Sequence, residues 1–215
     1  MRIGILGTGV VGKTLATRLT KLGHEVRMGS RAAGGDKARS WVKESGGKAS
    51  EGSFADAAAH AEIVFNCTAG IASLEALKAA GAQNLQGKVL VDVSNPLDFS
   101  KGMPPTHSVC NTDSLGEQIQ RAFPTAKVVK SLNTVTAALM VDPSLISGVH
   151  TMFVSGNDAK AKGEVIDLLK TGFGWKEVID LGDITAARAQ EMYLALWLRL
   201  YGKLKTPNVN IHVVL

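Results

Sequence analysis

The sequence predicts an α/β fold: a doubly wound, mostly parallel sheet with a C-terminal helical extension. Three observations carry that expectation. Short apolar runs alternate with segments of helical period along most of the 215 residues, the signature of βαβ units. Several of the runs lack polar alternation, as strands covered on both faces do. A glycine-rich turn joins the first run to the first helical segment.

Arg2-Ile3-Gly4-Ile5-Leu6 reads as the first buried strand. Val11, Leu15, Leu19 and Leu22 then recur on one helical face, with Gly23 as the stop. His24 to Met28 gives the second strand. Ala38 to Glu44 and Phe54 to Ala61 are short helices, Glu62 to Cys67 a strand, and Leu74 to Ala80 a helix halted by Gly81. Lys88 to Val93 is a strand, Leu115 to Ala122 a helix, and Lys127 to Ser131 a strand. Between them, Asn95 to Asn111 holds Pro96, Gly102, Pro104 and Pro105 and reads as the longest irregular loop. A strand at His150 to Val154, a helix at Asp158 to Lys170 and a strand at Lys176 to Asp180 extend the same sheet. The last helix, Thr185 to Tyr201, is apolar on every side from Met192 to Leu198 and must be buried in its own fold or against a partner. A homodimer is one such arrangement. The expected division is residues 1–182 for the sheet domain and 183–215 for the extension.

Composition excludes several classes. Hydrophobic residues at 45% and charged residues at 20% suit a globular core. No apolar run approaches the roughly 20 residues of a membrane span. Cys67 and Cys110 can neither staple a secreted scaffold nor complete a four-ligand zinc site. Met1-Arg2 runs directly into a strand pattern, so a cytoplasmic location is expected. The five histidines (His24, His60, His107, His150, His212) show no metal or triad spacing. Only 5% of residues are aromatic and none interleave with basic ones, which argues against nucleic acid. Residues 1–50 carry ten Lys/Arg against three acids, whereas the whole chain is only +5. That concentration points to an anionic ligand near the N-terminus or to a solvated lysine face.

Gly7-Thr8-Gly9-Val10-Val11-Gly12 fits G-x-G-x-x-G between strand and helix, the context in which this pattern binds a dinucleotide. Gly7 allows the tight turn, Gly9 leaves room for the pyrophosphate, and Gly12 lets helix and strand pack closely. At the end of the second strand, where an acid would accept from a ribose hydroxyl, stand Gly29-Ser30-Arg31. A guanidinium there pairs with a 2′-phosphate by charge-assisted bonds. Ser30, Thr8 and Lys37 can add to it, so NADP(H) is expected over NAD(H). There is no Tyr-x-x-x-Lys pair beyond the terminal Tyr201 and Lys205. No catalytic proton donor and no metal ligand are assigned. An enzyme lacking a proton donor can still pass hydride to a flavin or deazaflavin, if it stacks the two rings.

The glycine motif, Gly29-Ser30-Arg31, Val129-Lys130-Ser131-Leu132-Asn133-Thr134 and the helix from Ala187-Arg188 to Leu200 together resemble the F420-dependent NADP oxidoreductases. Their Rossmann domain is also similar to the cytosolic domain of the STEAP metalloreductases. The resemblance covers nearly the whole chain. It implies Thr8, Ser30 and Arg31 at the 2′-phosphate, and Thr68, Ala69 and Gly70 along the pyrophosphate and nicotinamide ribose. It places Asn95, Pro96 and Leu97 at the nicotinamide, and Asn133, Thr134 and Val135 between it and an F420, FMN or FAD acceptor. Archaeal members tend to carry His where Asn133 stands, and Asn is closer to the flavin-using branch. Asn133 reads equally as a cap for a helix from Thr134 to Met140. Two further functions remain open at this stage: a non-catalytic NADPH sensor, and a small carbonyl or imine reductase completed across a dimer.

Overall fold

The computed structural model describes residues 1–214. The chain runs through β1 (Arg2–Leu6), α1 (Val10–Lys21), β2 (Glu25–Ser30), α2 (Asp36–Ser45), β3 (Ala49–Ser53), α3 (Phe54–His60) and β4 (Ile63–Asn66). It continues through α4 (Gly70–Ala80), α5 (Ala82–Leu85), β5 (Val89–Asp92), the short β6 (Leu97–Asp98) and β7 (Thr106–His107), α6 (Leu115–Ala122) and β8 (Lys127–Ser131). The last part is α7 (Ala137–Val141), β9 (Thr151–Gly156), α8 (Ala159–Asp167), β10 (Glu177–Asp180) and α9 (Ala187–Leu204).

Eight strands form one sheet in the order β10-β9-β8-β5-β4-β1-β2-β3. Side-chain alternation within the strands builds two cores. Ile3, Ile5, Met28, Val91 and Val129 face Leu15, Leu19 and Trp41 on one side. Leu6, Val64, Leu90 and Val128 face Ala57, Leu77, Ile119 and Ala187 on the other. Winding outward from β1 in both directions puts a topological switch point between β1 and β4, where such sheets bind ligands beyond their strand ends.

Four features differ from expectation. β3 is an additional edge strand whose Ala-Ser-Glu-Gly-Ser sequence has no β-branched residue; pairing of Val26 with Ala49 in register, not propensity, makes it a strand. β9 joins the sheet as expected but pairs antiparallel with β8, and β10 follows β9 in parallel. The loop after Asn95 contains the antiparallel pair β6–β7, in which Leu97 faces His107. The final helix is buried along one face only: Ala187, Gln190, Glu191 and Leu194 are covered, whereas Met192, Leu196, Tyr201 and Leu204 are exposed. Among the described residues no helix is long and apolar enough to cross a membrane.

Candidate functional site

A cleft of about 850 Å³ lies over the switch point. Its floor is the β1–α1 turn, Gly7-Thr8-Gly9. One end is Ser30, Arg31, Ala32 and Gly35 after β2, and the other is Cys67, Thr68 and Ala69 after β4. The turn is built by its glycines. Gly7 sits at φ +121, and a Cβ at Gly12 would fall 2.1 Å from the Gly7 carbonyl oxygen, so only glycine lets α1 start against β1. A Cβ at Gly9, by contrast, would meet nothing within 4 Å. The packed structure itself does not require glycine there.

Gly9 is the N-cap residue of α1, with no side-chain cap bond and no acid in the first turn. Ala69 is the N-cap residue of α4 in the same way. The unpaired amides and dipoles of both helices therefore favour an anion between them. Arg31 is exposed at the cleft edge, and it forms no ion pair among the described residues. Ser30 is its neighbour, with a hydroxyl that donates to the Ala32 carbonyl at 2.6 Å. The far wall is Phe54 with Ala72, Ala76 and Ala79 of α4, apolar apart from the exposed Glu75 of the same helix, which pairs with Lys78. Phe54 and the three alanines are absent from the sequence expectation, although the alanines form a stripe at helical spacing.

The predicted residues divide into three groups. Gly7, Thr8, Gly9, Ser30, Arg31, Thr68 and Ala69 converge on the cleft. Val10 opens onto a separate groove beside Lys13, Val11 packs against the core, and Gly12 is buried behind the turn. Lys37 is exposed on α2, away from the cleft lining. Gly70, Asn95, Pro96, Leu97, Asn133, Thr134 and Val135 belong to a second cluster at the ends of β5 and β8. Gly70 joins the two regions, since a Cβ on it would fall 2.0 Å from the Asn95 carbonyl oxygen.

In that second cluster two asparagines bind each other. Asn95 Nδ2 donates to the Asn133 carbonyl and Asn133 Nδ2 donates to Asn95 Oδ1, both at 2.9 Å. Asn133 Nδ2 also reaches the Gln190 carbonyl at 3.0 Å. Asn133 is therefore not a helix cap: α7 starts at Ala137, with Thr136 as its N-cap residue and no side-chain cap bond. Leu132 before it turns the chain at φ +65, a conformation that a branched side chain adopts only when its surroundings enforce it. Asn133 Oδ1 and Thr134 Oγ1 are buried with no hydrogen-bond partner among the described residues. Buried polar atoms are normally satisfied, so these two are open to a bound group.

Beneath both regions lies a buried ionic network absent from the sequence expectation. Lys130 Nζ donates to Asp92 Oδ2 at 2.7 Å, to Glu191 Oε1 at 2.8 Å and to the Ser94 carbonyl at 2.6 Å. Glu191 accepts from the Leu115 and Gly116 amides that open α6. Asp92 Oδ1 accepts from Asn66 Nδ2 at 2.9 Å and from Ser94 Oγ at 2.6 Å. Burial alone would lower the Lys130 ammonium, but the two carboxylates outweigh it and hold it protonated, above its ordinary range. A lysine in the middle of Val-Val-Lys-Ser was the visible signal, since a charge in a buried strand needs counter-charges. Thr68 connects the network to the cleft. Its hydroxyl donates to Asn66 Oδ1 at 2.7 Å and lies 3.0 Å from the Ser73 hydroxyl.

A glycine turn, two uncapped helix starts and a free guanidinium around one cleft define a dinucleotide-binding protein of Rossmann type. Residues 2–96 match the family model described as NADP oxidoreductase coenzyme F420-dependent. The chain is 55% identical to a protein of Arthrobacter sp. FB24 whose crystal structure is provisionally described as an F420-dependent NADP-reductase; coverage is 100% of both chains and the TM-score is 0.95. It is 27% identical to the F420-dependent NADP reductase of Methanothermobacter marburgensis, over 99% of this chain and 98% of that one. It is 30% identical to the rat metalloreductase STEAP3 over 97% of its own length, but spans only 38% of that protein. The chain belongs to the F420-dependent NADP oxidoreductase family and is an NADP-dependent oxidoreductase.

Proposed function

We propose that the chain transfers a hydride between NADP(H) and a deazaflavin of the F420 type, with FMN or FAD as the alternative acceptor. The observation that carries the reading is Arg31 at the edge of the cleft, unpaired and next to Ser30, where it can clamp a 2′-phosphate. Thr8 approaches the same group from the glycine turn. The first amides of α1 hold the pyrophosphate, and the open space over Gly9 admits it. The apolar wall of Phe54, Ala72, Ala76 and Ala79 suits the adenine face. Thr68, Ala69 and Gly70 lead toward Asn95, Pro96, Leu97, Asn133, Thr134 and Val135, which border the nicotinamide and the acceptor.

When bound, the reduced nicotinamide supplies the hydride. The protein's part is to fix the two rings in register, since hydride transfer needs donor and acceptor atoms about 3–3.5 Å apart. Asn133 Oδ1 and Thr134 Oγ1, unpartnered among the described residues, are suited to hold an amide or hydroxyl at that point. The names of the Arthrobacter and archaeal relatives support F420 as acceptor. A steady-state panel with NADPH and F420, FMN or FAD tests this. Fast NADPH oxidation with F420 alone supports the deazaflavin, and oxidation with FMN or FAD alone the flavin. Tight NADPH binding without turnover on any of them refutes the enzyme reading of this acceptor class.

A further inference from the structure

The buried network beneath the cleft is not electrically neutral. Two carboxylates, Asp92 and Glu191, share the single ammonium of Lys130, and all three side chains are essentially sealed from solvent. One negative charge is therefore left over at the carboxyl ends of β5 and β8. Its nearest compensation is dipolar: the α6 amides on Glu191, and the Asn66 amide and Ser94 hydroxyl on Asp92. The neighbouring charged pair, Arg188 with Glu117, is neutral as a unit and adds no net charge. Salt screens such a buried group much less than it screens a surface charge.

Two connections bring this charge to the cleft. Asp92 is joined through Asn66 to Thr68, a cleft-lining residue, by hydrogen bonds of 2.9 and 2.7 Å. Lys130 grips the Ser94 carbonyl, the residue before Asn95, so the network also sits directly beneath the asparagine pair. The Cys67 thiol, which lines the same cleft, already registers the field: burial pushes it up, and the charge of Asp92 pushes it further the same way.

The coenzyme changes charge at its ring when it reacts. Loss of hydride removes two electrons with the proton and leaves the nicotinamide cationic, while the phosphates keep their charge. We propose that the Asp92–Lys130–Glu191 network biases this site toward the oxidised coenzyme, binding NADP⁺ more tightly than a neutral network would and making bound NADPH a stronger hydride donor. The inference rests on the coenzyme placement proposed above. Asp92, linked through Asn66 to the cleft-lining Thr68, exerts the larger influence; Glu191, compensated by the first amides of α6, exerts the smaller. Both are positioning residues, acting on the ring through space.

The test measures Kd for NADP⁺ and for NADPH by calorimetry at fixed pH and salt, in wild type, Asp92→Asn and Glu191→Gln. Asp92→Asn weakens NADP⁺ relative to NADPH by about tenfold, the order expected for one unit charge several ångströms away at an effective protein dielectric. Glu191→Gln shifts the ratio the same way but less. A purely structural role would weaken both coenzymes by one factor. Equal weakening in folded Asp92→Asn, or a larger ratio change in Glu191→Gln than in Asp92→Asn, overturns the inference. If Asp92→Asn does not fold, Glu191→Gln decides alone, and an unchanged ratio there is refuting. Wild type that binds neither coenzyme instead refutes the coenzyme placement itself.

Discussion

Replacing Arg31 by alanine is the sharpest probe of cofactor choice. The side chain is exposed, makes no ion pair among the described residues and lies at the cleft edge, so its loss leaves no buried partner stranded and the fold stays intact. On the proposed placement, the variant loses a charge-assisted pair of hydrogen bonds to the 2′-phosphate. Bonds to charged groups are worth about 1.5–3 kcal/mol, which predicts NADPH binding weakened roughly 10- to 150-fold. Solvent exposure puts the result toward the lower end. Ser30 makes only a modest difference, because its hydroxyl must first leave the Ala32 carbonyl. NADH lacks the 2′-phosphate and should bind wild type and variant alike. Fluorescence titration of both coenzymes, with the thermal midpoint as a check on folding, decides the matter. Equal loss for NADPH and NADH would refute the role given to Arg31.

Two glycines of one turn should respond oppositely. Gly12→Ala forces a methyl to 2.1 Å from a backbone oxygen and should lower stability by about 1–3 kcal/mol or more in urea denaturation. Gly9→Ala meets open space, so its urea midpoint stays at the wild-type value while calorimetry finds coenzyme binding lost. Lys130→Met leaves two buried carboxylates without a counter-ion and should cost about 3–5 kcal/mol, again by urea denaturation. Arg121 holds the Asp113 carboxyl down to about 2, from its ordinary 3.8. A depressed carboxyl stabilises the fold above its unfolded value, and that contribution disappears as pH falls through the folded one. Asp113→Asn should therefore be less stable than wild type above about pH 4, with the gap closing toward pH 2.

The fold was legible where periodicity was strong. β1, α1, β4, β5 and β8 lie where their apolar runs end and their glycines fall, because burial on both faces leaves those segments no other pattern. β3 was not, since its strand state comes from the edge of β2 and not from Ala49–Ser53 itself. The direction of β9 was equally hidden: a strand reads the same in either orientation until its partner is known. Around the cleft, the placement of Gly7, Thr8, Gly9, Ser30 and Arg31 follows from a local motif that carries its own geometry, whereas Val10 and Val11 of the same motif turn away from it. Asp92, Lys130 and Glu191 come from three distant stretches of chain and meet only in the folded protein. Asn133 showed both limits. Its place just past the end of β8 was legible, but the helix it was expected to cap begins at Ala137, and its amide is committed to Asn95 and Gln190 instead.

The knot around Lys130 also imposes an order on synthesis. Chains emerge from the ribosome N-terminus first, so the lysine and Asp92 are present some sixty residues before Glu191 is translated. Until that glutamate arrives, the start of α6 lacks the acceptor for its first amides and the lysine lacks its second acid. The sheet thus has a temporary weak point in its centre, closed only once α9 has been made.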